Sequence, residues 1–215
     1  MLRRNDSEMM MLDHLTRPLV DPLLNKMAMA LHQKKVRANQ VTFLAFSAGL
    51  LAMILIALGH PLLGLALFAL NRILDGLDGA LARCDRTTMA GGYLDIVFDF
   101  IIYSGIVLSF ALFNQSLALV AAFVLFSFVG TGSSFLAMAI FADRVQPAPV
   151  SPQPKSFYFL GGLTEGTETM IFIAAICLIP SFFNLFGVIF GLMCCLTTYT
   201  RIHKSYATLK AGEPK

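Results

Sequence analysis

Six apolar segments, each close to twenty residues long, dominate this chain of 215 residues. An α-helix needs about 20 apolar residues to cross the hydrocarbon core of a bilayer, and in lipid its backbone polar groups must bond within the helix. With 57% hydrophobic and 13% charged residues, the chain does not fit an ordinary soluble domain. The sequence therefore predicts an all-α, polytopic membrane protein with six transmembrane helices, at about residues 40–59, 61–83, 91–114, 117–142, 162–180 and 183–204.

The lysines and arginines predict the orientation of these segments. Fifteen of the sixteen lie in residues 1–37, 83–90, 143–161 and from Arg201 onward, and the other three connections contain none. By the positive-inside rule, both termini and the 83–90 connection face the cytoplasm, which is the cytoplasmic side of the inner membrane if the chain is bacterial. We expect a cytoplasmic juxtamembrane segment, a membrane domain and a cytoplasmic tail, at residues 1–37, 38–204 and 205–215.

The N-terminal segment has the pattern of an amphipathic interfacial helix. Apolar residues recur at helical spacing among basic ones, at Leu12, Leu15, Leu19, Leu23 and Met27. We expect Pro18 to end a first short piece and a helix to start at Asp21, before Pro22. The first apolar run begins too late for a signal peptide, so we expect the segment to be retained. A loosely folded lead-in is the alternative.

Four aspartates stand in the second and third apolar segments. Asp75 and Asp78 are three residues apart, and Asp95 and Asp99 are four apart, so each pair lies on one helix face. The short polar connection 84–90 makes the two helices antiparallel neighbours, which brings the pairs together. Charges at the bilayer centre cost about 2.5–3.5 kcal/mol each, and four carboxylates would repel one another. The arrangement predicts a magnesium or manganese site, because hard divalent ions prefer oxygen ligands.

Residues around the aspartates suit a phosphate ligand. Gly79 and Ala82 leave room for a ligand to approach the backbone, and Arg83 offers a planar fork. A purely structural alternative pairs the acids with Arg72 and Arg83, but it leaves two carboxylates unpaired.

The aspartates and their neighbours form the pattern D-x-x-D-G-x-x-A-R-x7-G-x-x-x-D-x-x-x-D, with Gly91 as the second glycine. This pattern resembles the signature of the CDP-alcohol phosphatidyltransferase family at every fixed position. The resemblance implies an enzyme of phospholipid biosynthesis, a transferase that moves a substituted phosphate group from a CDP-alcohol such as CDP-diacylglycerol to an acceptor hydroxyl and releases CMP. It also implies a homodimer among membrane lipids.

The same resemblance implies roles for individual residues. Asp75, Asp78 and Asp95 would hold two metal ions on the CDP diphosphate, and Asp99 would be the general base and a further candidate ligand. Asn39 and Thr42 resemble a weaker family feature on the nucleotide side, although the proline often found beside the asparagine is Ala38 here.

The acceptor alcohol is less constrained. A proline-rich cytoplasmic connection, residues 143–159, carries Arg144 and Lys155, while Glu165 and Glu168 stand where it returns to the membrane. These acids are either caps of a helix start or a polar wall that favours a neutral or cationic acceptor. Glycerol phosphate, inositol phosphate, serine, a polyol or an amino alcohol all remain open, as does whether the lipid is donor or acceptor.

Other polar positions favour packing. Tyr103, Ser104 and the run Gly130–Ser134 are more typical of helix contacts than of a cavity lining, and Gly187 and Gly191 form a G-x-x-x-G pair. The four cysteines lack the spacing of a metal site, and the four histidines lie outside the acidic group and are typical of interfacial polar residues.

Two other function classes compete with the transferase. A transporter also places acids within spans, but its usual inverted repeats and broken helices are not evident. A catalytically silent lipid-binding protein would be expected to lose at least one signature acid, and none is lost. The basic residues are scattered rather than clustered, which argues against nucleic acid.

Overall fold

A computed structural model describes residues 13–84, 87–145, 164 and 166–211, with side chains described for 22–84, 87–141, 164 and 166–211. Within these ranges the regular structure is entirely helical. The seven α-helices described are α1 Asp13–Gln33, α2 Ala38–Ala57, α3 Pro61–Cys84, α4 Met89–Phe113, α5 Ala118–Val145, α6 Gly166–Leu178 and α7 Phe183–Ala211. Single 3-10 turns at Gln115–Leu117 and Pro180–Phe182 lead into α5 and α7.

Each predicted apolar segment contains a helix, and four of the described segments are long and apolar enough to cross a membrane. These are Ala38–Ala57, Met89–Phe113, Gln115–Phe141 and Pro180–Ala211. The other two differ for physical reasons. From its middle to its end, α3 carries Arg72, Asp75, Asp78 and Arg83, and α6 has 13 residues, which at 1.5 Å each is about 20 Å of helix.

The structure corrects the predicted start of α1. The helix continues through Pro18 and Pro22 instead of beginning at Asp21. An interior proline costs about 3 kcal/mol, and burial of Leu24 and Ala28 in contact with α3 helps to offset this cost.

The predicted apolar stripe of α1 is described only in part. Leu23 and Met27 are exposed, while Leu24 and Ala28, one residue further along, are buried. The side chains of Leu15 and Leu19, and all of Leu12, lie outside the described residues. α1 therefore has one apolar face on the protein and another that is open to its surroundings.

Two hydrophobic clusters hold the helices together. The larger is formed by residues of α2 to α7, including Ile56, Phe68, Ile106, Ile173 and Phe190. The smaller joins α1 to α2 and α3 through Leu24, Ala28, Val41, Leu77, Ala80 and Leu81. Because Leu77, Ala80 and Leu81 are buried in that cluster, the acids of α3 occupy the remaining face of the helix.

The helix packing leaves space between α3 and α4. Both helices pack along α2, and they pack on each other much less. A turn at Gly59, whose φ of +86° suits glycine, joins α2 to α3.

α5 packs on α7, where Gly187 faces Val120 and Gly191 faces Phe123. The predicted helix contact through the G-x-x-x-G pair is therefore confirmed.

Candidate active site

The site is a cleft between α3 and α4, beside the first turns of α2, and we call it the acidic cleft: Arg72, Asp75, Asp78, Asp95 and Asp99. Its position depends on where α4 begins. Thr88 caps that helix, because its hydroxyl accepts a hydrogen bond of 3.0 Å from the backbone N–H of Gly91. Asp95 and Asp99 then follow in the second and third turns of α4.

Three of the aspartates lie together as predicted. Asp75, Asp78 and Asp95 each offer a carboxylate oxygen, and these oxygens all lie within 4.8 Å of one another. We call them the three-acid group. Asp78 is 6% exposed, Asp75 is half-buried and Asp95 is exposed, so the group runs from the protein interior to an open side. Residues of α3 and α4 meet in antiparallel register, with Arg72 opposite Asp99.

The three-acid group fits a divalent cation. The buried Asp78 Oδ2 has no hydrogen-bond partner in the described part of the chain. Neither Asp78 nor Asp95 forms an ion pair with a described lysine or arginine. Burying an uncompensated carboxylate is costly, and an all-oxygen ligand set suits Mg²⁺ or Mn²⁺.

Arg72 supplies the positive charge of the cleft. Its Nη2 lies 2.7 Å from Asp99 Oδ1, and its Nη1 lies 3.5 Å from Asp75 Oδ2. The ion-pair alternative is therefore realised for Arg72. It is not realised for the exposed Arg83, which forms no ion pair with a described residue. Even with the Arg72 pairs, the four carboxylates outnumber the one paired cation.

Asp99 differs from the other three acids. It does not belong to the three-acid group, and one of its oxygens pairs with Arg72. Its Oδ2 accepts a longer hydrogen bond, 3.5 Å, from the Tyr103 hydroxyl. The geometry thus separates one carboxylate, held by an arginine, from three that can share a cation.

The residues predicted for the nucleotide surround the same cleft. Thr42 is buried within reach of Asp78, and Asn39 Oδ1 lies near the position that a Cβ on Gly91 would occupy. A Cβ on Gly79 would meet only Arg83 Nη1, at 3.6 Å, among the described residues. This face of α3 is open, and Ala82 is only partly buried on it.

The predicted acceptor residues are only partly described. Lys155 and Glu165 lie outside the described residues, and for Arg144 only the helical backbone near the end of α5 is described. Glu168 lies half-buried in the first turn of α6, where an acid interacts favourably with the helix dipole. Thr164, two residues before α6, is tied to α7, because this buried residue donates from its N–H and its hydroxyl to Thr197 Oγ1, at 3.0 and 2.9 Å.

Sequence reasoning missed two contributors to the cleft, Tyr103 and Asn71, and the burial of Arg201 in α7. Tyr103 was predicted to pack but bonds Arg72 and Asp99, and Asn71 was not singled out at all. Arg201 was counted with the cytoplasmic basic residues but is 5% exposed in α7 and donates to the Thr131 carbonyl at 3.0 Å. The available signals were spacing and charge: Tyr103 is four residues after Asp99, and a lone arginine among four acids must pair.

The sequence of this chain matches the model of a known protein family. The model of the CDP-alcohol phosphatidyltransferase family matches residues 35–200, which include α2 to α6, most of α7 and the whole acidic cleft. The chain belongs to the CDP-alcohol phosphatidyltransferase family.

Relatives and a solved structure agree with membership of this family. The chain is 45% identical to the inner membrane protein YnjF of Escherichia coli K12, over 94% of this chain and 98% of YnjF. It is 42% identical to the bifunctional IPC transferase and DIPP synthase of Thermococcus kodakarensis, over 31% of this chain and 15% of that protein. Its fold is similar to that of a Mycobacterium tuberculosis phosphatidylinositol phosphate synthase, PgsA1, solved with CDP-DAG bound. The TM-score is 0.63 at 17% identity, covering 86% of this chain and 94% of the other.

Membership of the CDP-alcohol phosphatidyltransferase family indicates the kind of reaction that is associated with this fold. The family transfers phosphatidyl-type groups, and its members named above include transferases. Four of the described helices are long and apolar enough to cross a membrane, and the relative YnjF is an inner membrane protein.

Proposed function

We propose that this chain is a metal-dependent enzyme that transfers a substituted phosphate group from a CDP-alcohol to an acceptor hydroxyl and releases CMP. CDP-diacylglycerol is the proposed donor, and the solved relative with CDP-DAG bound supports this choice. The observation that carries the proposal is the three-acid group beside a separate, arginine-paired Asp99.

Asp75, Asp78 and Asp95 would hold two Mg²⁺ or Mn²⁺ ions. The unbonded Oδ2 of the buried Asp78 and the lack of paired cations at Asp78 and Asp95 support this assignment. Bound metal would neutralise the diphosphate and the charge that grows on the departing CMP. Asp99 could also join the ligand set, but its pairing with Arg72 favours a role as base.

The chain's own residues would bind the donor and move one proton. The open face at Gly79 and Ala82 lets the nucleotide lie on α3, and Arg83, Asn39 and Thr42 line the approach to it. Asp99 takes the proton of the acceptor hydroxyl. The acceptor oxygen then bonds to the phosphorus distal to cytidine, the bond from that phosphorus to the bridging oxygen breaks, and CMP leaves with the electron pair.

A measurement of CMP release tests the reaction class. Purified protein in nanodiscs, given CDP-diacylglycerol, Mg²⁺ and an acceptor panel, should release CMP and form a new phospholipid. Two outcomes would refute the proposal. Binding of the donor without CMP release would favour a silent lipid-binding protein, and movement of a solute across the membrane without either would favour a transporter.

The proposed topology has six transmembrane helices, with α3 and α6 completing the four apolar ones, and both termini and the acidic cleft on the cytoplasmic side. The domain limits remain as proposed from the sequence: an amphipathic segment 1–37, a membrane domain 38–204 and a tail 205–215. Cys84, an exposed free cysteine at the end of α3, provides a test. A membrane-impermeant thiol reagent should label it in inverted vesicles and not in intact spheroplasts, with Cys84→Ser as the control.

We also propose a homodimer, since small residues on membrane helices permit close contact between copies. Native mass measurement in nanodiscs should give twice the 23.5 kDa chain mass. A single-chain mass under conditions that preserve activity would refute it.

The acceptor is proposed to be neutral or cationic, because Glu165 and Glu168 would repel an anion near the membrane entrance. We expect Glu165→Gln and Glu168→Gln to raise the acceptor KM more than they weaken metal binding. Arg144 and Lys155, predicted to lie on the proline-rich connection, are the cations that an anionic acceptor would use.

Kinetics decide between these acceptor classes. Wild type and both Gln variants are assayed with glycerol phosphate, inositol phosphate, serine and free polyols. Turnover of a phosphorylated acceptor that survives both Gln substitutions, and is lost in Arg144→Gln or Lys155→Gln, would overturn the neutral-acceptor proposal.

A further inference from the structure

Arg72 bonds in several directions at once inside the cleft. Its Nε donates to Asn71 Oδ1 at 2.8 Å, and its Nη1 donates to the Tyr103 hydroxyl at 2.8 Å. Its Nη2 lies 2.7 Å from Asp99 Oδ1. The three nitrogens of one planar group thus contact three different residues, and Nη1 also lies 3.5 Å from Asp75 Oδ2.

Aromatic rings restrict the same guanidinium. Its central carbon lies 5.6 Å from the centroid of the Phe68 ring and 5.0 Å from that of Tyr103. The Arg72 side chain is only 13% exposed. Cation–π contacts in such partly dehydrated surroundings help to fix the plane of the group.

Asn71 ties this arrangement to the backbone of a neighbouring helix. It is buried, and its side-chain amide donates to the Ala45 carbonyl of α2 at 2.8 Å. Since its other atom, Oδ1, accepts from Arg72, hydrogen bonds run from α2 to the guanidinium on α3, and an ion pair continues from there to Asp99 on α4. This series of contacts crosses the space where α3 and α4 pack on each other only slightly.

We propose that Arg72 is a positioning residue for the transfer reaction, an inference that rests on the proposed function. By holding Asp99 Oδ1, it directs Oδ2 toward the acceptor hydroxyl and keeps this carboxylate apart from the three-acid group. Arg72 is not one of the fixed positions in the aspartate pattern, so the pattern alone does not predict this role. Lysine cannot replace it, because a single ammonium lacks the planar fork that bonds three partners.

Arg72→Lys tests the proposal, because it retains the charge and removes the fork. We expect kcat to fall about 10- to 100-fold, since a misplacement of about 1 Å can cost on the order of 100-fold. CDP-diacylglycerol affinity and Mn²⁺ affinity, measured without acceptor, should stay within about threefold of wild type. Ser109→Ala is the control, because Ser109 is a buried α4 residue whose hydroxyl donates to the Gly105 carbonyl of its own helix and to no other helix in the described part of the chain.

A double-mutant cycle distinguishes positioning from a structural role. Asp99→Glu keeps a carboxylate, and so keeps measurable turnover, but moves it out of the bonding plane. If Arg72 acts through Asp99, Arg72→Lys should cost much less in the Asp99→Glu background than in wild type. An equal loss in both backgrounds, or a kcat within threefold of wild type for Arg72→Lys alone, would overturn the inference.

If the Arg72→Lys variant does not fold, Tyr103→Phe tests the same proposal. It retains the ring over Arg72 and removes the hydroxyl that bonds both Arg72 and Asp99. We expect a three- to tenfold loss of kcat that is likewise smaller in the Asp99→Glu background, and unchanged turnover would overturn the inference. Wild-type protein that releases no CMP with any acceptor would instead refute the proposed function, and this inference with it.

Discussion

The acidic cleft and the seam between α5 and α7 both place polar residues in apolar helices, but the polar groups are satisfied differently. In the seam, hydroxyls bond carbonyls of their own helix: Ser127 to Val124, Ser134 to Thr131 and Thr198 to Cys194, at 2.7–3.0 Å. In the cleft, an ion pair passes between helices, from Arg72 to Asp99, and the buried Asp78 Oδ2 has no hydrogen-bond partner among the described residues.

This difference separates polar residues that serve helix packing from those that bind a cation or substrate. A hydroxyl that bonds its own helix permits close approach, as where Gly130 lies next to Thr198, and needs no ligand. A buried carboxylate without a partner is expensive, and it is retained where a cation or substrate completes it. Bonding of hydroxyls within one helix, rather than polarity alone, distinguishes the two regions, and Arg201, which donates across the seam to the Thr131 carbonyl, is the exception.

The largest expected effect concerns the base. Asp99→Asn should lower kcat by on the order of 10²–10⁴-fold, because the amide cannot accept the acceptor's proton. Donor and metal affinities should stay near wild type, since Asp99 lies outside the three-acid group. Measuring turnover beside CDP-diacylglycerol and Mn²⁺ binding checks this, and turnover within a few-fold of wild type would reject Asp99 as base.

Substitutions in the three-acid group should weaken metal binding, in contrast to Asp99→Asn. Asp78→Asn and Asp95→Asn each remove one charge from the proposed ligands, so the Mg²⁺ concentration for half-maximal activity should rise about 10- to 100-fold. Asp78→Asn should have the larger effect because Asp78 is buried and Asp95 is exposed. A magnesium requirement equal to that of wild type in both variants would show that the ligand assignment is wrong.

The grouping of Asp75, Asp78 and Asp95 could be predicted from the sequence, because it depends only on residue spacing and on the length of one connection. The spacings of three and four residues and a short connection place Asp75, Asp78 and Asp95 on facing surfaces, and the structure brings them within 4.8 Å. The helix at each apolar segment was predictable for a similar reason, since length and hydropathy determine it.

Long-range pairings were harder to predict. Asn71 bonds a carbonyl 26 residues away, and Arg201 bonds one 70 residues away, so neither follows from local spacing. The continuous α1 was also missed, because tertiary packing of Leu24 and Ala28 overrides the usual effect of proline. Spacing identifies neighbours on one helix, whereas contacts between helices depend on packing that the pattern does not contain.

Two glycine substitutions sharpen the contrast between the regions. A Cβ on Gly191 would lie 2.5 Å from Phe123 Cε1, so Gly191→Ala should destabilise the fold by about 1–3 kcal/mol and leave donor affinity unchanged. Gly79→Ala meets no such clash and should retain or raise the melting temperature, but weaken CDP-diacylglycerol binding about tenfold by occupying the open face of α3. Thermal unfolding and donor titration of both variants test this contrast. It would be contradicted if Gly191→Ala weakened donor binding without loss of stability, or if Gly79→Ala destabilised the fold without weakening donor binding.

The smallest expected effect comes from the hydroxyl run of α5. Ser134 donates to the Thr131 carbonyl of its own helix at 3.0 Å, so Ser134→Ala removes a bond that water or the helix replaces at little cost. We expect stability within about 0.5 kcal/mol of wild type and unchanged transfer kinetics. Tyr103→Phe is the matched comparison, because it also removes one hydroxyl from an apolar helix, but one that bonds across to α3. If Ser134→Ala lowered turnover as much as Tyr103→Phe, bonding within one helix would not separate packing residues from functional ones, and the Gly130–Ser134 run would belong to the substrate cavity.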